Sequence, residues 1–139
     1  MVGRSNVDDM AATTSQKPGM RAYDDAIRST FPELVSKLRD IVGVRLVAYI
    51  GNVKSTKPVA EWAVGPREPG ETDRDRLFVA YQIAALLRER NEAVTVQSWF
   101  KGMNPTLNDV SPARVLREGD PREVGPEVMA AAKAFAFIG

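Results

Sequence analysis

The stretch Leu46-Val-Ala-Tyr-Ile-Gly-Asn-Val-Lys-Ser-Thr-Lys-Pro-Val-Ala-Glu-Trp-Ala-Val-Gly65 decides how the rest of the chain is read. It has the form of a helix-turn-helix. Leu46, Val47 and Ile50 share one face of a short first helix running from about Val44 to Gly51. Ser55 is placed to cap the second helix, whose Val59 and Trp62, three residues apart, turn back toward the core. Gly65 closes the unit. In such a unit the N-terminal end of the second helix is the part that reaches base edges in a major groove. Here that end carries Lys54, Ser55, Thr56 and Lys57, with free backbone amides suited to phosphate. Glu61, on the outer face of the same helix, repels phosphate but can accept a hydrogen bond from a cytosine amino group.

Outward from this unit the pattern remains helical. Thr30-Phe31-Pro32-Glu33 opens a helix with proline in its first turn, and Phe31, Leu34, Val35, Leu38, Ile41 and Val42 form its apolar face before Gly43. Residues 65–70, Gly-Pro-Arg-Glu-Pro-Gly, form a loop. Thr72 is read as the cap of the longest helix, with Asp73 and Asp75 in its first turn and Leu77, Ala80, Tyr81, Ile83, Ala84 and Leu87 as its buried stripe, ending near Asn91. Thr95 is read as the cap of a helix from Val96 to Lys101 stopped by Gly102. Asn104-Pro105 turns the chain. Ser111-Pro112 opens a helix closed by Gly119, and Asp120-Pro121 repeats that device. A last helix is expected from about Pro126 to Phe137. Residues 1–20 read as a disordered tail. The expectation is an all-α fold, a compact bundle of short helices containing a helix-turn-helix.

Composition narrows the function classes. The chain of 139 residues has 19 Lys and Arg against 18 Asp and Glu, and it has neither His nor Cys. A Ser-His-Asp triad, a Cys nucleophile, a disulfide and the commonest metal ligands are therefore excluded. No pair of carboxylates brackets a cleft, so no catalytic residue, metal or cofactor is expected. From Lys37 to Arg67 six bases (Lys37, Arg39, Arg45, Lys54, Lys57, Arg67) face two acids (Asp40, Glu61), a local charge of +4 in a chain of net +1 that leaves −3 for the remainder. A basic middle segment of this kind suits contact with nucleic acid through one face. No apolar run approaches the roughly 20 residues that span a bilayer, and the chain reads as cytoplasmic.

The order of motifs carries a resemblance. Residues 55–65 are followed by a loop with Pro66 and Pro69 and by Arg76-Leu-Phe-Val-Ala-Tyr-Gln-Ile-Ala-Ala-Leu86. Then come Trp99-Phe-Lys-Gly102, Asn104-Pro-Thr-Leu107 and Ser111-Pro-Ala-Arg-Val-Leu-Arg-Glu-Gly119, and an Ala-rich closing helix. This order resembles the antitoxins of the Xre/MbcA/ParS type over roughly Phe31 to Gly139. The resemblance implies an Xre-like domain over residues 21–93 and a toxin-binding domain over 94–139. It implies neutralisation of a RES-type, NAD-degrading toxin by blocking its active site. It also implies autorepression on promoter DNA and self-association as a dimer.

On the residues, it implies DNA contact through Lys54, Ser55, Thr56, Lys57 and Arg67. It implies toxin contact through Phe100, Lys101, Phe135, Phe137, Ile138 and Gly139. Trp99 and Phe100 are adjacent, so one is expected in the core, Trp99 by preference, and the other partly exposed. The apolar residues Phe135, Phe137 and Ile138 either dock on their own domain or enter a partner. A stand-alone helix-turn-helix regulator without a toxin is the alternative reading.

Overall fold

The computed structural model describes residues 19–137. Among them the chain forms eight α-helices, one 3-10 turn and no strand. The helices are α1 (Met20–Arg28), α2 (Phe31–Val42), α3 (Val44–Ile50), α4 (Lys57–Val64), α5 (Glu71–Arg88), α6 (Ala93–Lys101), α7 (Pro112–Glu118) and α8 (Pro121–Phe137), with the 3-10 turn at Pro105–Leu107 between α6 and α7. The all-α bundle expected from the periodicity is therefore observed. The disordered-tail reading of residues 1–20 falls almost wholly outside the described residues, and Met20 already belongs to α1.

Local chemistry sets most of the boundaries. Thr30 and Glu33 form a reciprocal capping box at the start of α2, with proline in the first turn. Gly43 leaves α2 at φ 91°, a left-handed conformation that a side chain would strain, so α3 starts at once in a new direction. The Ser111 hydroxyl accepts from the Arg114 amide and caps α7.

The starts of α5, α6 and α8 differ from the sequence expectation. The long helix α5 begins after Gly70, and Glu71 and Asp73, rather than a Thr72 cap, complement its dipole. Helix α6 begins after Glu92, whose carbonyl accepts from the Thr95 and Val96 amides at 3.0 and 3.1 Å, so Thr95 lies inside the helix. Helix α8 begins at Pro121 and not near Pro126. Asp120 starts it with its carbonyl on the Glu123 and Val124 amides and its carboxylate on the Arg122 amide. Pro126 then sits within α8, costing one intrahelical hydrogen bond.

The core is organised around α5. Leu77, Ala80, Tyr81, Ile83, Ala84, Leu86 and Leu87 are all buried, and they occupy more than one face of the helix. Helices α1, α2, α3, α6, α7 and α8 all pack against it. One hydrophobic cluster runs from Ala22 in α1 to Ala132 in α8, so residues on both sides of position 93 share a core.

Two polar ties hold elements to α5. Arg76, 6% exposed, pairs with Asp73 and donates from Nη2 to the Gly119 carbonyl at 3.0 Å, fixing the α7–α8 junction. Asp25 of α1 accepts from the Tyr81 hydroxyl and pairs with Lys37 of α2 at 3.3 Å.

The Tyr81 hydrogen bond, and then Lys37, hold the Asp25 carboxyl below its ordinary value of 3.8, while burial and the carboxylate push the Tyr81 phenol up. A lowered carboxyl pKa stabilises the fold above its unfolded value, and that contribution is lost as pH falls through the folded value. Asp25→Asn should therefore lower the melting temperature at pH 7 and show a smaller loss between pH 5 and pH 2 than the parent chain. Parallel melting curves for the two proteins across this range check it.

Candidate nucleic-acid interface and partner face

Helices α3 and α4 and the turn between them build the helix-turn-helix at the positions expected. The turn is closed by backbone bonds from Gly51 to Val47 (2.8 Å), Asn52 to Tyr49 (3.2 Å) and Val53 to Ala48 (3.0 Å). Asn52 adopts a left-handed φ of 63°. A Cβ on residue 51 would lie 3.0 Å from both the Trp62 ring and the Val47 carbonyl, so glycine there lets the indole close against the turn. Val59 and Trp62 are buried, and Phe31 of α2 packs against Trp62 with ring centres 6.5 Å apart. This packing fixes α4 on α2 and turns its N-terminal end outward.

Lys54, Ser55, Thr56 and Lys57 lie together there, all exposed. The expected Ser55 cap is not made. The residue before α4 is Thr56, its backbone is helical (φ −85°, ψ −10°), and no side chain caps the first turn. A capping hydroxyl needs an extended residue in that position. The Ser55 and Thr56 side chains are left exposed and without a hydrogen-bond partner among the described residues. Among the described residues, no carboxylate forms an ion pair with Lys54 or Lys57.

Arg67 does not join this group. It follows Gly65 at the far end of α4, a helix whose eight residues rise about 12 Å, and pairs with Glu61 at 2.8 Å. The Arg67 guanidinium, helped by Lys57, holds the Glu61 carboxyl below its ordinary range. The acid on the outer face of α4 is thus matched by a cation of its own.

The residues assigned to a partner separate into three places. Phe100 is fully buried and cannot offer its ring to a partner from this packing. Trp99, the residue favoured for the core, is the shallower of the two at 9% exposed. Both are covered because α6 is enclosed by α2, α5 and α7, while Phe135 of α8 lies over the outer edge of Trp99 with ring centres 6.5 Å apart. Phe135 itself is 41% exposed. Phe137 is half-buried under the guanidinium of Arg90, 4.5 Å from its ring centre, so this part of α8 docks on its own domain. Ile138 and Gly139 lie outside the described residues. Lys101 sits two residues beyond Trp99, about 200° around the helix, and lines a cleft with Val42, Arg45, Leu46 and Tyr49 on the α3 side.

Three residues beside α4 were not singled out by the sequence reading: Arg45, Tyr49 and Arg117. Arg117 of α7 stacks over the Tyr49 ring at 4.6 Å and donates to the Tyr49 carbonyl at 2.6 Å. Arg45 was visible only as one of the bases in the positive segment. Nothing local in the sequence links position 117 to position 49.

Among the described residues, no cluster of acids could hold a metal ion and no helix is long and apolar enough to cross a membrane. No protein-family model matches the chain, and no curated protein matches it. Among solved structures, it is similar to a chain of the crystal structure of the M. tuberculosis MbcT-MbcA toxin-antitoxin complex. The TM-score is 0.63 at 24% sequence identity, over 78% of this chain and 95% of the other. The likeness is one of fold.

Arg67→Ala should move the Glu61 titration midpoint upward toward the ordinary value of 4.5, because the main cause of its lowering is removed. NMR titration of the side-chain carboxyl carbon reads this directly; an unmoved midpoint would place the Arg67 pairing outside the solution structure.

Proposed function

We propose that this protein is an antitoxin that neutralises a RES-type, NAD-degrading toxin and binds promoter DNA as an autorepressor. The observation that carries this reading is the fold shared with a chain of a toxin–antitoxin complex, joined to the same order of motifs in the sequence. The site geometry supports two faces with separate tasks.

The DNA face is the N-terminal end of α4. Lys54 and Lys57 supply exposed cations, and Ser55 and Thr56 supply uncommitted hydroxyls, for a phosphate. Entry of this end into a major groove leaves the Glu61–Arg67 pair farther along the helix, where its net charge is zero. The helix is not richly basic, and a dimer presenting two such helices engages twice as many phosphates.

The toxin face is the C-terminal end of α8. Exposed Phe135 offers an aromatic anchor that is supported from beneath by Trp99. Phe137, Ile138 and Gly139 extend the same end of the chain. Occlusion of an active site needs no catalytic group on this chain, in keeping with a composition that contains neither His nor Cys.

The two faces are testable separately. Lys54→Ala combined with Lys57→Ala should leave the melting temperature unchanged and reduce the slope of log affinity against log salt for a promoter duplex by about 2, at roughly 0.9 for each phosphate no longer neutralised. An unchanged slope rejects the recognition-helix assignment. Deletion of residues 135–139 should abolish protection against NAD loss when the toxin is co-expressed, and should leave duplex affinity within about twofold. Protection retained by the truncated chain rejects the assignment of the toxin face.

A further inference from the structure

Beside the recognition end of α4 lie two adjoining clefts. One, of about 590 Å³, is walled by the end of α2, α3, the end of α6 and the start of α7 and contains Arg45, Tyr49 and Lys101 beside the apolar Val42, Val44, Leu46 and Ala113. The other, of about 510 Å³, contains Arg45, Tyr49, Lys54 and Arg117 together with Ser55 and Thr56. They share Arg45 and Tyr49, so they form a single groove that runs from the first turn of α4 across α3 to α6 and α7. Four cations line it and no carboxylate does. The acid closest in sequence on α7, Glu118, is held by Arg114 at 2.7 Å. Arg45 and Lys101 are exposed, and among the described residues neither forms an ion pair.

We infer that this groove is a second phosphate-contacting track, in which Arg45 and Lys101 grip the DNA backbone flanking the major groove entered by α4. A helix lying in a major groove about 12 Å wide has a phosphate strand on each side. A row of cations beginning at the N-terminus of that helix and leading away from it meets one of those strands. Continuity with Lys54, Ser55 and Thr56 favours a polyanionic strand over an acidic protein segment. Arg117 is already oriented by its bond to the Tyr49 carbonyl and its stack on the ring, which leaves the rest of its guanidinium fork for an oxygen of the backbone. Lys101, assigned to the toxin from the sequence, belongs on this reading to the DNA side. Residues from the second half of the chain then contribute to DNA affinity while carrying little base information.

This inference rests on the duplex-binding reading above, and one set of salt titrations separates the two. The full chain is titrated with a promoter duplex of about 30 base pairs, long enough to extend past a site of one to two helical turns on both sides. Titrations at several KCl concentrations run alongside Lys54→Ala/Lys57→Ala and Arg45→Ala/Lys101→Ala. Arg45→Ala/Lys101→Ala should lower the slope of log affinity against log salt by about 2, and the four substitutions together by about twice that. A parent slope in the Arg45→Ala/Lys101→Ala protein, with a reduced slope in Lys54→Ala/Lys57→Ala, overturns the track and spares the recognition helix. Absence of salt-dependent binding by the parent chain overturns both. Loss of toxin neutralisation by Arg45→Ala/Lys101→Ala with its duplex slope intact overturns the track and assigns the groove to the protein partner. The substituted residues are exposed, and unchanged melting temperatures confirm that each variant is folded.

Discussion

Everything in this fold depends on one helix that is buried on more than one side. From Arg76 to Leu87, α5 has no stretch that can face water for a full turn, because Leu77, Ile83, Leu86 and Leu87 are wholly enclosed and Ala80 and Ala84 fill the positions between them. Each large apolar side chain removed from water contributes roughly 1.5–3 kcal/mol, so the helix is stable only when wrapped. The short helices are the wrapping. Most have fewer than ten residues, below the length at which an isolated helix persists in water, and they hold their shape through the face they bury. The small side chains at 80 and 84 let neighbouring backbones approach, which suits a bundle of many short elements better than a few long ones.

That arrangement positions both candidate faces at the edges of the bundle. Helix α4 is anchored through Val59 and Trp62 against α2, so its first turn is presented without being part of the core. Helix α8 is anchored on α5 through Val128, Ala131 and Ala132, and its last turn rises past Trp99 with Phe135 uncovered. The Arg76 hydrogen bond to the Gly119 carbonyl ties the α7–α8 junction to the same central helix. A chain with two tasks can keep them apart in this way, with one rigid core and one exposed helix end for each.

Much of this was legible in the sequence. The apolar spacing in residues 31–42, 44–50 and 77–87 marked the helices and their buried faces, and Gly43, Gly65 and Ser111-Pro112 marked ends that the structure keeps. Other features were hidden for identifiable reasons. Threonines at 72 and 95 suggested caps, but the acidic first turn of α5 and the backbone bonds to the Glu92 carbonyl before α6 start those helices two and three residues earlier. Adjacent Trp99 and Phe100 could not be ranked by periodicity, because the depth of each depends on α7 and α8, which are remote in sequence. The pairing of Glu61 with Arg67 needs the Gly65 turn to bring the two together. The groove around Tyr49 joins residues 45, 54, 101 and 117, and only the tertiary arrangement assembles it.

On the proposed function, one rigid domain carries two non-overlapping faces, one for a duplex and one for a toxin. Amide hydrogen exchange of the full chain, measured free, with a promoter duplex and with the RES-type toxin, tests it most directly. Two separate footprints are expected, with the duplex slowing exchange at residues 51–57 and the toxin slowing it at residues 133–137. A single footprint common to both ligands, or a toxin that leaves the end of α8 exchanging at its free rate, would contradict the claim.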